Sequence, residues 1–329
     1  MASSVPTPEE ATSLPKEIKK PTSRLLMQLA SNIARNRTLE YPRRLAFGVR
    51  AGGAIKTHNV LNLGITLARR GFKLRLWDLD PQRTLSAILG YKEPAPGQMT
   101  IFDVMIGKAT LAQATVQARY RTGVGDEDDA FTIIPNLYLV HGTEELGNAE
   151  VTLASDPAGN LWLDNLLSDQ PEDDDFIDLV DTGPTRGLLQ TSIMIAFEDW
   201  VGCLNDEYKY ISGLNDLERD MEEARRKFRR LRVKTNIRFI QISGVYLHKD
   251  GTVNRGKSAI ADDSVNALLA DEEWSAKLLP ITRYEQKAKE VFERQKPLRF
   301  HAPMSPALDD CEAIADGMGY PRRAPGKAS

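Results

Sequence analysis

Short, wholly apolar runs alternate along this chain with stretches whose apolar residues recur every three or four positions. The first pattern predicts buried strands, and the second predicts helices packed by one face. Strands are predicted around Phe47 and over Lys73 to Trp77, Phe131 to Ile134, Leu137 to Val140, Phe176 to Val180, Trp200 to Leu204 and Arg238 to Leu247. A helix is predicted from residue 21 to about Arg37, with Leu25, Leu26, Leu29 and Ile33 on one face. Others are predicted over Asn59 to Arg70, stopped by Gly71, and over Arg83 to Tyr91. Leu214 to Leu231 reads as the longest helix, its stripe formed by Leu214, Leu217, Met221, Ala224, Phe228 and Leu231. Val265 to Ala270, capped by Ser264, and Asp309 to Met318 complete the set. Arg119 to Asp129 is polar and reads as a loop, and the acidic run Asp164 to Asp175 as a solvated helix end.

Strands that alternate with helices predict an α/β fold of three layers, a mostly parallel sheet with helices on both faces. Residues 45–320 read as that domain. Residues 1–20 have the composition of a disordered tail, 21–44 read as a helical extension and 321–329 as a basic tail. The first 44 residues hold eight Lys/Arg and four Asp/Glu. That leaves two roles open for the extension, a helix packed on the domain or on a second copy, and an arm on DNA.

Composition narrows the chemistry. The 329 residues are 41% hydrophobic and 27% charged, with a net charge of −3, so no global attraction to polyanions is expected. Cys203 and Cys311 stand far apart, match no metal spacing and read as buried thiols of a reducing compartment. No run approaches eighteen apolar residues and no apolar signal core begins the chain, so the expectation is a cytoplasmic protein that does not engage membranes. The four histidines are scattered, which argues against histidine-based catalysis.

One stretch carries chemistry. Ala51-Gly52-Gly53-Ala54-Ile55-Lys56-Thr57 lies between a strand and a helix, and Asp78-Leu79-Asp80-Pro81-Gln82 closes the next strand. A glycine loop feeding a helix N-terminus offers free N–H groups and a positive dipole end, which suit phosphate. Lys56 would add a point charge and the Thr57 hydroxyl could ligate Mg²⁺. A later strand ends in Asp181-Thr182-Gly183-Pro184. Separately, seven of the ten residues from 225 to 234 are basic: Arg225, Arg226, Lys227, Arg229, Arg230, Arg232 and Lys234. That density exceeds what a helix C-terminus requires, so the cluster is either a solvated face or a contact for the DNA backbone.

Taken in order, the glycine loop, the Asp-x-Asp-Pro-Gln turn, the strand ending in Asp181 and the late Pro280-Ile281-Thr282-Arg283 resemble the ParA/MinD family of deviant Walker A ATPases, and within it the ParA partition proteins. The resemblance covers nearly all of 45–320 and implies a P-loop NTPase-like fold. It also implies an ATP-dependent homodimer that binds DNA non-specifically in the nucleoid and meets a ParB-type adaptor to move plasmid, chromosome or other cargo. By the same resemblance, ATP and Mg²⁺ are the cofactors. Gly52, Gly53, Ala54, Ile55, Lys56, Thr57, His58 and Pro280 would surround the nucleotide. Lys56 would hold the β/γ-phosphates and Asp80 would orient the attacking water. Thr57, Asp78 and Asp181 would support the metal. Arg225, Arg226, Arg229, Arg230, Arg232 and Lys234 would meet DNA. Two positions depart from the family pattern. Its first lysine, which reaches across the dimer, is Ala51 here, and the glycine before its second lysine is Ile55. The departures leave open an ATP-binding switch with little hydrolysis, or a pseudo-ATPase scaffold that has lost nucleotide binding.

Overall fold

A computed structural model describes residues 21–49, 55–123, 130–171, 175–184, 186–206 and 209–322. Among them, eight strands form one sheet: β1 (Arg44–Gly48), β2 (Leu74–Leu79), β3 (Thr115–Arg121), β4 (Phe131–Val140), β5 (Ile177–Thr182), β6 (Asp199–Leu204), β7 (Asn236–Val245) and β8 (Thr282–Arg283). Their spatial order is β3-β4-β2-β5-β1-β6-β7-β8, and every neighbouring pair is parallel except β3 with β4. All six residues of β2 and of β5 are buried, as strands covered on both faces must be.

The helices used below are α1 (Pro21–Asn36), α2 (Ile55–Arg69), α3 (Thr84–Ile88), α4 (Trp162–Ser168), α5 (Leu188–Ala196), α6 (Lys209–Lys227), α7 (Ala259–Ala270) and α8 (Ala307–Gly317). The path from β1 to β2 runs toward one sheet edge, whereas β5 to β6 and β6 to β7 run toward the other. Right-handed crossovers therefore place α2 on one face and α5 and α6 on the opposite face. α8 packs on α2, and α4 packs on α5, completing three layers. The reversal falls beside β1, which puts a ligand crevice at the C-terminal ends of β1, β2 and β5.

Several sequence expectations are corrected. Part of the expected loop at 119–129 is β3, whose side chains are held from far along the chain: Tyr120 stacks on Phe300 with 3.9 Å between ring centroids; residues 124–129 lie outside the described residues. The two strands expected around Pro135 form one strand, with a register break opposite Ala118 and Asn136 at φ 62°. α7 begins at Ala259 rather than after Ser264, whose buried hydroxyl donates to the Ile260 carbonyl within the helix. α6 stops at Lys227 and Leu231 is 52% exposed, so the stripe ends with a half-buried Phe228. On α1, Leu25 is buried but Leu26 is exposed. The docking of this helix uses asparagines instead: Asn32 Nδ2 donates to the Ser275 and Leu278 carbonyls, and Asn36 Nδ2 to that of Gly317. Tyr320, the last residue of the expected domain, is buried beside Tyr41 and Phe72 with its hydroxyl on the Pro42 carbonyl. Cys203 and Cys311 are free and buried.

Candidate functional site

The first turn of α2 begins at Ile55, directly after the glycine loop, and is packed against the core. Arg50, Ala51, Gly52, Gly53 and Ala54 lie outside the described residues. Ile55 and His58 are half-buried, while Lys56 and Thr57 are 2% and 5% exposed. Burial pushes the His58 imidazole pKa well below its ordinary value, so it stays neutral at pH 7.

The register of β2 on β5 sets Asp78 directly beside Asp181. Both are at most 1% exposed. Thr57 Oγ1 donates to Asp181 Oδ2 at 2.5 Å, tying the helix to the strand end. Asp78 Oδ2 accepts from the Ser86 backbone N–H and hydroxyl at 2.7 and 2.6 Å. The second oxygen of each carboxylate, Asp78 Oδ1 and Asp181 Oδ1, has no protein partner. Burial pushes Asp78 up to about 6. Burial, and then the Asp78 charge, push Asp181 up to about 8, against the pull of Thr57 and Lys56. Two adjacent buried carboxylates thus each keep an acceptor oxygen that no protein donor fills.

Those residues fit a small hard cation. Mg²⁺ is held by one or two carboxylates together with water and phosphate oxygens, not by an all-protein cage. Thr57, Asp78 and Asp181 supply that set, and no denser group of potential metal ligands is present among the described residues.

Two residues that motif reading did not single out shape the site. Ser86, on α3, anchors Asp78 and in turn accepts from the Gly142 N–H at 3.1 Å. Gly142 follows β4 so closely that a Cβ there would lie 2.8 Å from Asp78 Cγ. Neither has a local sequence signal, because each acts by meeting a strand distant in the chain. Asp80 is half-buried, and one of its carboxylate oxygens accepts from the Gln82 N–H at 2.9 Å. The turn is anchored by Arg83, in left-handed conformation and only 8% exposed, whose guanidinium reaches Glu93 and Glu144. Pro280 stands just before β8, its ring against Gly317 of α8, three strands from β1. At normal strand spacing that is about 14 Å.

The basic cluster lies elsewhere, between the end of α6 and the start of β7, at the opposite end of the sheet. Arg226, Arg229, Arg230, Arg232 and Lys234 are exposed. Arg225 is engaged internally, with Nη2 on Glu218 Oε1 at 2.8 Å and Nη1 on the Thr235 carbonyl. Among the described residues no helix is long and apolar enough to cross a membrane.

The geometry agrees with comparisons to known proteins. A family model described as an AAA domain matches residues 43–235, more than half of the chain. The chromosome-partitioning ATPase Soj of Treponema pallidum is 32% identical over 170 residues, 52% of this chain and 60% of that protein. The sporulation initiation inhibitor Soj of Bacillus subtilis is 28% identical, over 50% and 59% of the two chains. The chain thus spans about 60% of the length of these two relatives. The chromosome partitioning protein ParA of Caulobacter vibrioides is 27% identical over 70% of this chain and 78% of its own. Among solved structures, the ATP complex of Cyanothece McdA superposes with a TM-score of 0.65 at 19% identity, over 87% of this chain and all of that one. The cell division ATPase MinD of Pyrococcus furiosus superposes at 0.58 and 18%, over 84% and 97%. At those identities the structures speak for the fold alone, and it is the P-loop NTPase fold. Motif order and sheet topology agree with the family model: the chain belongs to the AAA-domain family, and it is similar to ParA-type partition ATPases.

Proposed function

We propose that this chain binds and hydrolyses ATP with Mg²⁺, dimerises on ATP at the C-terminal end of the sheet, and binds DNA non-specifically in the nucleoid of the cytoplasm. A ParB-type adaptor triggers its release, and the cycle moves plasmid, chromosome or another cargo. The observation that carries the proposal is the pair Asp78–Asp181 under the first turn of α2, with the Thr57 hydroxyl on Asp181 and an orphaned oxygen on each carboxylate. Lys56, at the same turn, holds the β/γ-phosphates. Thr57 and Asp181 hold the metal and Asp78 supports its shell. A bound Mg²⁺ supplies neutralisation of phosphate charge. Asp80 orients the attacking water from a turn braced by Arg83. Phosphoryl transfer depends mainly on positioning and charge, which these residues provide without covalent chemistry. Asp80→Ala should retain ATP binding and lose turnover, measured by phosphate release. Parental turnover in that variant would remove Asp80 from the mechanism.

Ala51 supports a second function, an ATP-binding switch with little hydrolysis. A methyl group cannot neutralise charge on a neighbouring subunit's phosphates, and loss of a transition-state cation costs about 10³–10⁵ in rate where an arginine finger is removed. If nothing substitutes, Ala51→Lys alone should raise turnover and Arg50→Ala should be silent. If Arg50 substitutes, Arg50→Ala should lower turnover and Ala51→Lys should partly restore it. Brisk parental hydrolysis indifferent to both changes would refute both versions.

A further inference from the structure

We infer that Arg186 supplies, from within its own chain, the cation that Ala51 lacks, exchanging Asp220 for the phosphoryl group as it transfers. This rests on the ATP hydrolysis proposed above and adds a residue on which turnover depends. Charge spreads over the oxygens of a phosphoryl group in flight, and a positioned guanidinium stabilises it. Such a cation has to stand near the ends of β2 and β5, beside Asp80 and Asp181. One arginine follows each of those ends: Arg83, four residues past β2, and Arg186, four residues past β5. Arg83 is 8% exposed and already taken, with its guanidinium on the Lys92 carbonyl, Glu93 and Glu144. Farther along the sheet, Arg255 is held by Asp262 and Asp263, and Arg283 by both oxygens of Asp310. The Arg186 side chain, by contrast, is 60% exposed and pairs with Asp220 Oδ1 of α6 at 3.0 Å. An ion pair so open to water contributes little and is readily exchanged.

The place of Arg186 matches the role. It lines a cavity of about 340 Å³ whose walls include Leu79 and Pro81, on either side of Asp80. Thr182 and Gly183, directly after Asp181, line the same cavity. One space therefore joins the turn that carries Asp80, the strand end that carries Asp181, and this guanidinium. The backbone around Arg186 is fixed on both sides. Before it, Thr182 Oγ1 donates to the Phe47 carbonyl at 2.7 Å. After it, Gly187 packs so closely on Glu150 that a Cβ there would collide with the carboxylate. Glu150 in turn accepts from the Leu188 and Leu189 N–H groups of α5 at 2.6 and 3.2 Å. Those bonds occupy the acidic group closest to Arg186 in sequence-fixed position, and leave Asp220 as the rival of a phosphate oxygen. A long side chain on a fixed base can pass from one anion to the other by rotamer change alone.

Arg186→Gln, Arg186→Lys and Asp220→Asn in the full chain test this, each compared with the parent by its melting curve. Arg186→Gln should bind MgATP within about twofold of the parent by calorimetry, while turnover falls about 10³-fold, the lower end of the cost of removing a transition-state arginine. Its affinity for MgADP with aluminium fluoride, a mimic of the transferring phosphoryl group, should fall as well. Arg186→Lys keeps the charge without the planar fork and should lie between parent and Arg186→Gln in both measurements. Asp220→Asn removes the rival anion and should keep or raise turnover. Mixing Arg186→Gln with Lys56→Ala, which brings an intact Arg186, should restore nothing.

Equal losses in Arg186→Gln and Asp220→Asn would make the pair a structural strut and overturn the inference. Parental turnover or unchanged affinity for the fluoride complex in Arg186→Gln would overturn it too, and each of these results leaves the ATPase function standing. Turnover recovered in the mixture would overturn action within one chain. A parent that binds MgATP without turning it over would overturn the inference in favour of the ATP-binding switch. A parent that binds no MgATP would overturn both the inference and the function beneath it.

Discussion

Asp178 and Asp181 sit three residues apart on β5, both buried, and their surroundings are opposite. β2 places Arg75 beside Asp178, and the carboxylate accepts from Arg75 Nε at 2.6 Å, from Arg75 Nη2 at 3.1 Å and from Trp77 Nε1 at 2.6 Å. Three residues along, the same strand places a second carboxylate, Asp78, beside Asp181, and an oxygen on each remains without a partner. One end of the strand pair is a satisfied ion pair that closes the fold. The other is a like-charge pair within reach of the Lys56 charge, each carboxylate keeping one oxygen without a protein partner. Burial alone does not separate structural from functional carboxylates; the sign of the neighbour does.

The largest effect expected from this contrast is on stability. Asp178→Ala removes the carboxylate that takes Arg75 Nε and Nη2 and Trp77 Nε1 in the buried core, which should cost about 3–5 kcal/mol in urea unfolding. Asp181→Asn removes a repulsion and should leave the ligand-free protein within about 1 kcal/mol of the parent. Equal losses at the two positions would erase the distinction between the ends.

Next comes ligand linkage. At a hundredfold excess over Kd, MgATP should stabilise the parent by about 2.7 kcal/mol. EDTA or Asp181→Asn should remove most of that gain, whereas Asp178→Asn, where it folds, should keep it. A shift in melting midpoint that survives EDTA would detach the carboxylate pair from metal binding.

A smaller effect tests the packing that holds Asp78. Gly142→Ala forces a Cβ to within 2.8 Å of Asp78 Cγ, an overpacking that should cost about 1–3 kcal/mol and lower turnover with it. Parental stability and turnover would mean that the loop after β4 moves aside freely.

Much of this contrast was legible in the sequence, and the illegible part has a common cause. The apolar runs gave the central strands because a strand buried on both faces has little else to be made of. The spacing from Lys56 to Asp80 was readable because those residues lie within one β–α–β unit, whereas Asp181 comes from β5, far along the chain. Ser86 and Gly142 were not readable, since their role exists only once α3 and the end of β4 meet Asp78. β3 was hidden because it is an edge strand of mostly half-buried polar residues, held by β4 and by Phe300 some 180 positions later. Arg225 was grouped with the exposed cations because no local signal announces that Glu218 and the Thr235 carbonyl take up its guanidinium.

The central claim is that the end of the sheet with the paired carboxylates Asp78 and Asp181 holds a magnesium nucleotide through the first turn of α2. Calorimetric titration of MgATP into the parent and into Lys56→Ala tests it most directly, with the thermal melt of each protein recorded alongside. The parent should bind, and the variant should melt as the parent does but give no measurable heat of binding. Equal affinity in the two proteins would contradict the claim.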